Sequence, residues 1–269
     1  MMINTTAYQW GLQNNCALNQ ICTPEMTFDE DLIEHARAGY RQIGLWRHKF
    51  QRFGIEKGIE LIRDLELSIS SVSWAGGYTG GMGGSFEQAH RDAFHWLCLC
   101  RDIKAKVLII KTGSQNGHIR SHAQRLVIDG LKKLVPYAER FGVQLAIKPV
   151  MPEWGKEWSF VHTIKEACEI SDKVNSSHVG VCLSTSHLQS DPAWRAILQQ
   201  ITHHLKLIQI ADVDELDELG QYLPQIARMI SQPHPFRGSE NAGLSRDQDM
   251  CTRGGNCLIE IERITENGI

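Results

Sequence analysis

Strand-like and helix-like segments alternate through most of this chain, and that alternation leaves few folds open. Asn4 to Trp10 reads as a first strand. Thr27 then stands three residues before Glu30, the spacing of a capping box, and Leu32, Ile33, Ala36 and Ala38 continue at helical period until Gly39 stops the helix. Gln42 to Trp46 is a short strand, residues 56 to 66 form a helix carrying Ile59, Leu61, Ile62 and Leu65, and Ile69 to Trp74 is a strand rich in β-branched residues. A helical segment from Phe86 to Arg101 leads to the strand Lys106 to Lys111, and helix 121 to 141 leads to Gln144 to Pro149. Helix 163 to 173 precedes His178 to Leu183, and a helical segment from Trp194 to His203 precedes Leu205 to Ala211. Strands separated by one helix, in units of about 30 to 40 residues, require parallel pairing through helical crossovers. Persistence over seven such units favours a closed (β/α)8 barrel over an open doubly wound sheet, and 269 residues suits one such domain.

Beyond Asp212 the pattern weakens. Asp214, Glu215, Asp217 and Glu218 form an acidic cluster, residues 219 to 230 fit a helix, and 231 to 257 is loop-like, with Pro233, Pro235, Gly238, Gly243, Gly254 and Gly255. Residues 213–257 are therefore a divergent loop or insertion within a single domain spanning 1–269. The last segment has two readings. As a strand it alternates Ile259 and Ile261 against Glu260 and Glu262; as a helix it joins Leu258, Ile261 and Ile264, with Asn267-Gly268 as its C-terminal cap. The helix is the preferred reading, and on it the chain stops before an eighth strand. An open seven-stranded barrel would expose the edges of its first and last strands, which favours pairing between copies as a homo-oligomer.

The function classes narrow with composition. Lys and Arg total 28 against 31 Asp and Glu, a net charge of −3, which argues against general nucleic-acid binding and for a small ligand. No apolar run approaches a membrane span, and MMINTTAYQWG lacks the basic and apolar regions of a leader, so a soluble, cytoplasmic protein is expected. The eight cysteines form no Cys-x-x-Cys pair, and several sit inside apolar segments, as reduced structural thiols do. No Gly-x-Gly-x-x-Gly follows the first strand, and the run Gly76, Gly77, Gly80, Gly81, Gly83, Gly84 lacks the Lys-Ser/Thr ending of a P-loop, so it is expected to be a flexible lid over the barrel mouth.

Several segments, in order, carry a resemblance: GYRQIGLWRHK after the first helix, GSQNGHIRSHAQRL after the fourth strand, GVQLAIKPVMP at the fifth, VGVCLSTSHL at the sixth and LKLIQIADV at the seventh. Together they resemble the sugar phosphate isomerase/epimerase family, the xylose-isomerase-like TIM barrels, over about residues 4 to 212. The tail DMCTRGGNCLIEIERITENGI also looks like the family's stretch into the seventh helix. The resemblance implies a divalent metal held at the C-terminal ends of strands five to eight by a Glu, an Asp, a His or Gln, and a second Glu. Such ligands suit Mg²⁺ or Mn²⁺, and the ion polarises the substrate while a carboxylate moves the proton. In this sequence those positions carry Lys148, Ser184, Gln209 and Glu260. An ammonium repels a cation and a serine brings no charge, so no cofactor is expected. The family's divalent metal (Mn, Mg or Zn) would need a rearranged site built on Gln209, His187 and Glu260.

The same positions suggest what takes its place. Arg47 after strand two, Lys111 at the end of strand four and Lys148 at strand five should face the mouth, where barrels of this kind bind ligands. Three cations suit an anionic sugar, with Ser114, Asn116, His118, Ser184, His187 and Gln209 as hydrogen-bonding groups, Asp212 as a further polar contact and Trp158 as a stacking face. Lys148, His187 and Glu260 are the candidate catalytic residues. Lys148 is either a Schiff-base nucleophile or a lysine whose ammonium fills the ion's place and pairs with Asp212 or Glu260. His187 is either substrate-polarising or a barrel-top histidine satisfied by neighbours. Two functions follow. One is an isomerase or epimerase acting on a small sugar, polyol or sugar phosphate, its metal-dependent step impaired or lost; the other is a non-catalytic carbohydrate- or anion-binding protein.

Overall fold

The computed structural model describes residues 16–81, 83–185, 201–211 and 258–262. Eight strands, taken in chain order, close a barrel: β1 (Ala17–Asn19), β2 (Gln42–Trp46), β3 (Ser68–Gly76), β4 (Val107–Lys111), β5 (Gln144–Ile147), β6 (Val179–Ser184), β7 (Leu205–Ala211) and β8 (Leu258–Glu262). Every neighbouring pair is parallel. The described helices are α1 (Phe28–Arg37), α2 (Arg47–Phe53), α3 (Ile55–Asp64), α4 (Phe86–Asp102), α5 (Arg120–Phe141), the short α6 (Pro152–Gly155) and α7 (Ile164–Val174).

Local chemistry sets the helix starts. The Glu30 carboxylate accepts the Thr27 N–H at 2.9 Å, Gln88 accepts that of Ser85 at 2.7 Å, and Thr163 Oγ accepts the Glu166 N–H at 3.2 Å. Each of these satisfies backbone groups that the first helical turn leaves open. α7 stops at Asn175, which takes the left-handed conformation that asparagine tolerates.

Barrel closure corrects the preferred reading of the C-terminal segment. Leu258–Glu262 is a strand, with Glu260 opposite Gln209 of β7 on one side and Ala17 of β1 on the other. Its period-two pattern wins over the threefold spacing because two strand edges there need backbone partners. With both edges paired, edge pairing gives no ground for a homo-oligomer. The expected first strand, Asn4 to Trp10, lies outside the described residues. β1 is instead a buried triplet too short to show alternation. The insertion 213–257 and most of the helical segment before His203 also lie outside the described residues.

The core has two layers, as alternation along parallel strands requires. Ile43, Leu45, Ile69, Val72, Leu108, Ile110, Leu145, Ile147, Val181, Leu183, Ile208 and Ile210 face the helices and pack with Phe28, Phe50, Trp96 and Leu131. Trp74, Val107, Ile109, Ala146, Cys182 and Leu207 fill the barrel itself. A register shift between Ser73 and Ala75 sets Trp74 apart from the ladder with β4, and its indole packs with that inner layer. No helix among the described residues is long and apolar enough to cross a membrane.

Candidate functional site

Inner-layer parity decides which side chains reach the mouth. Val107 and Ile109 fill the barrel, so Lys111, two residues on, continues the inward face of β4; by the same count Lys148 follows Ala146, Ser184 follows Cys182, and Gln209 follows Leu207. These four residues form one ring above the packed layer. Lys111 and Lys148 are neighbours in it: Ile110 pairs with Ile147, and the Lys148 N–H donates to the Ile110 carbonyl at 2.9 Å. Adjacent strands are only about 4.8 Å apart, so two cationic stems rise side by side.

Lys111 is only 4% exposed, and its ammonium lies 4.9 Å from the Trp74 ring centre and 5.3 Å from that of Trp158. The two indoles meet edge to face at 5.4 Å. Cation–π attraction of this kind compensates part of the desolvation of a buried ammonium. Trp158 owes its place to a zipper between the loops after β4 and β5. The Gly113 N–H donates to the Trp158 carbonyl at 3.0 Å, the Phe160 N–H returns to the Gly113 carbonyl at 2.8 Å, and the hydroxyls of Thr112 and Ser159 meet at 3.0 Å. The indole is partly buried, packed on one side against the inner layer.

His48, in the first turn of α2, belongs to the same environment. Burial first, then the charges of Arg47 and Lys111, holds its imidazole below the ordinary histidine value, and its ring meets Trp46 edge-on at 5.8 Å. Arg47 is engaged with structure. Its guanidinium forms a two-pronged pair with Asp92 at 2.7 and 2.8 Å, donates to the Trp74 carbonyl at 2.9 Å, and lies 4.8 Å over Trp96. It fixes α4 against the end of β3 rather than offering its charge at the mouth.

Asn116 and His118, expected at the ligand, both reach the Thr79 carbonyl, at 3.0 and 3.1 Å. Tyr78 and Thr79 are buried. The glycine-rich run, expected to be a lid over the mouth, is thus tied at Thr79 to the loop after β4. Ser184 and Gln209 are buried opposite each other across β6 and β7, and the Gln209 side-chain oxygen accepts the Cys182 thiol at 3.3 Å. Glu260 is placed by backbone register with Gln209. His187 and Asp212 lie outside the described residues. The sequence reading passed over Trp74, His48 and Asp92; of these only Trp74 had a signal, its inward parity at a strand end before the glycines.

The donor set speaks against a divalent ion held in the manner the resemblance implies. Lys148 and Ser184 bring no carboxylate to the positions of the first Glu and the Asp, and Gln209 brings a neutral oxygen that already accepts a thiol. Hard cations are held by charged oxygen ligands, and an adjacent pair of lysines opposes them.

Residues 33–236 match the model of the xylose isomerase-like TIM barrel family. No curated protein matches the chain. Among solved structures, a family 2 AP endonuclease from Brucella melitensis superposes with a TM-score of 0.69 at 16% identity, covering 91% of each chain. The 3-keto-D-glucoside 4-epimerase of E. coli gives 0.67 at 12% identity over 94% of this chain and 93% of its own. The IolI protein with a bound zinc atom gives 0.64 at 16% identity over 94% and 90%. At these identities the likeness is one of fold.

Proposed function

Because the chain belongs to the xylose isomerase-like TIM barrel family, we propose that its barrel mouth takes a small sugar or polyol derivative bearing an anionic group, a sugar phosphate or sugar acid, and that metal-dependent isomerisation is impaired or lost. The observation that carries this reading is the pair Lys111 and Lys148 on adjacent strands, the second at a position where the resemblance expects a metal-ligating carboxylate. An oxyanion placed over them receives charge-assisted hydrogen bonds where the ion would otherwise polarise the substrate. Trp158, held at the rim by the loop zipper, supplies an apolar face for the sugar ring, and Ser184 and Gln209 supply neutral polar groups for its hydroxyls. Sugar epimerases among the proteins of like fold support the substrate class.

The test compares sugar phosphates, sugar acids and neutral sugars by thermal shift and calorimetry. Anionic ligands raise the melting temperature and neutral ones do not. Lys148→Met weakens anion binding about tenfold or more, the value of one charge-assisted hydrogen bond of about 1.5–3 kcal/mol. Equal affinity for neutral and anionic sugars, or no shift at millimolar ligand, overturns the reading.

A further inference from the structure

At the other end of the barrel, Asp172 in the last turn of α7 comes together with His203 and His204, which sit in the single 3-10 turn Thr202–His204 that feeds β7. We propose that these three residues form a binding site for one zinc-class divalent ion. One ligating atom from each lies within 4.8 Å of the others. His204 Nε2 stands 3.4 Å from an Asp172 oxygen, and the two imidazole rings are 3.9 Å apart between centres. Two imidazoles and one carboxylate are the donors that zinc and its neighbours prefer over magnesium, and three protein ligands leave a fourth position for water.

The scaffold under the cluster is rigid on one side and open on the other. His204 is buried, and its backbone is pressed against β6 so closely that a Cβ on Gly180 would lie 2.1 Å from the His204 carbonyl oxygen. Asp172 and His203 are exposed, so an ion can reach them. Lys206 is a cation near His204, and its ammonium donates to the Ser177 carbonyl at 2.8 Å.

The site is separate from the mouth. Leu205 starts β7 and Gln209 stands four residues further along it, so the cluster lies about 13 Å or more below the ring of lysines at the strand rise of about 3.3 Å per residue. An ion there touches no ligand at the mouth; it fastens the end of α7 to the start of β7. This inference does not rest on the anion-binding reading, and each can fail alone.

The experiment is titration of Zn²⁺ into the full chain after chelator treatment, by calorimetry and by thermal melting. The expected result is one equivalent bound, a higher melting temperature, and at least a tenfold loss of affinity in each of His203→Ala and Asp172→Asn. Both positions are exposed, so both variants keep the fold. A Co²⁺ absorption band that disappears in the same variants confirms imidazole ligation. Absence of binding, or zinc affinity unchanged in both variants, overturns the site; unchanged affinity in Lys148→Met is expected.

Discussion

Two glycines with nearly the same positive φ allow one structural argument to be isolated. Gly76, the last residue of β3, has φ +117°, and Gly54, between α2 and α3, has φ +106°. An alanine at either position is strained by the backbone alone, by about 1–3 kcal/mol. Their surroundings differ. A Cβ on Gly54 meets nothing within 4 Å, whereas one on Gly76 would lie 2.1 Å from the Lys111 carbonyl oxygen. That carbonyl already accepts the Gly77 N–H at 2.9 Å, so it has no room to retreat without breaking the junction between β3 and β4. Overpacking against backbone adds about 1–3 kcal/mol. Gly76→Ala is therefore expected to cost that much more than Gly54→Ala, or roughly 2–12 °C more in melting temperature at about 2–4 °C per kcal/mol. Urea denaturation of both variants measures the difference. Gly76→Ala should also weaken ligand binding, because the displaced carbonyl belongs to Lys111. Equal destabilisation by the two substitutions would refute the close approach and, with it, the account of how Lys111 is held.

Other outcomes follow from the same geometry. Asn116→Gly keeps the positive φ of 48° but removes the bond to the Thr79 carbonyl; stability falls by about 1 kcal/mol and ligand affinity falls with it, read by denaturation and calorimetry. Burial lowers the His35 and His48 values below the ordinary 6.5, so the unfolded chain takes up protons before the fold does. The stability held above that value is lost as pH falls below about 6.5 towards the folded values, and denaturation midpoints at pH 7.5 and 5.5 should differ in that order. Placing both acids, in Lys148→Glu with Ser184→Asp, destabilises the metal-free protein chiefly through the buried carboxylate at position 184, since the one at 148 stands beside the cation of Lys111. It should also introduce a melting temperature that rises with Mn²⁺, by about 2.7 kcal/mol of stabilisation at a hundredfold excess over Kd; no Mn²⁺ dependence would show that more than these two ligands is missing.

The repeating unit was legible because burial on both faces of parallel strands writes long apolar runs, and six of the eight strands, β2 to β7, fall where those runs stand. β1 was not, since Ala17–Asn19 offers only three residues. β8 was ambiguous because Ile259 and Ile261 fit period two while Leu258, Ile261 and Ile264 fit a helix, and only the two open edges of the barrel decide between them. At the mouth, position at the strand ends singled out Arg47, Lys111 and Lys148. It could not predict that Arg47 pairs with Asp92, a partner 45 residues away, or that Asn116 and His118 turn back to Thr79. Such pairings depend on loop paths, which no periodicity encodes.

The placement of Lys148 and Ser184 also explains how a barrel can change its chemistry without changing its fold. Both stand one step above the filled layer of Ala146 and Cys182, which packs with Trp74, Ile109 and Leu207 regardless of what the next residue carries. The outer layer that joins strands to helices uses the opposite parity, residues such as Ile147, Val181 and Leu183. A carboxylate exchanged for a lysine at position 148 therefore alters the field at the mouth and little below it. Beside it, the buried ammonium of Lys111 needs shelter of its own. The indoles of Trp74 and Trp158 supply part of that shelter on the Lys111 side. On the proposed reading, an oxyanion bound over the two lysines is held by charge-assisted hydrogen bonds, and ligands that carry negative charge are preferred over neutral ones.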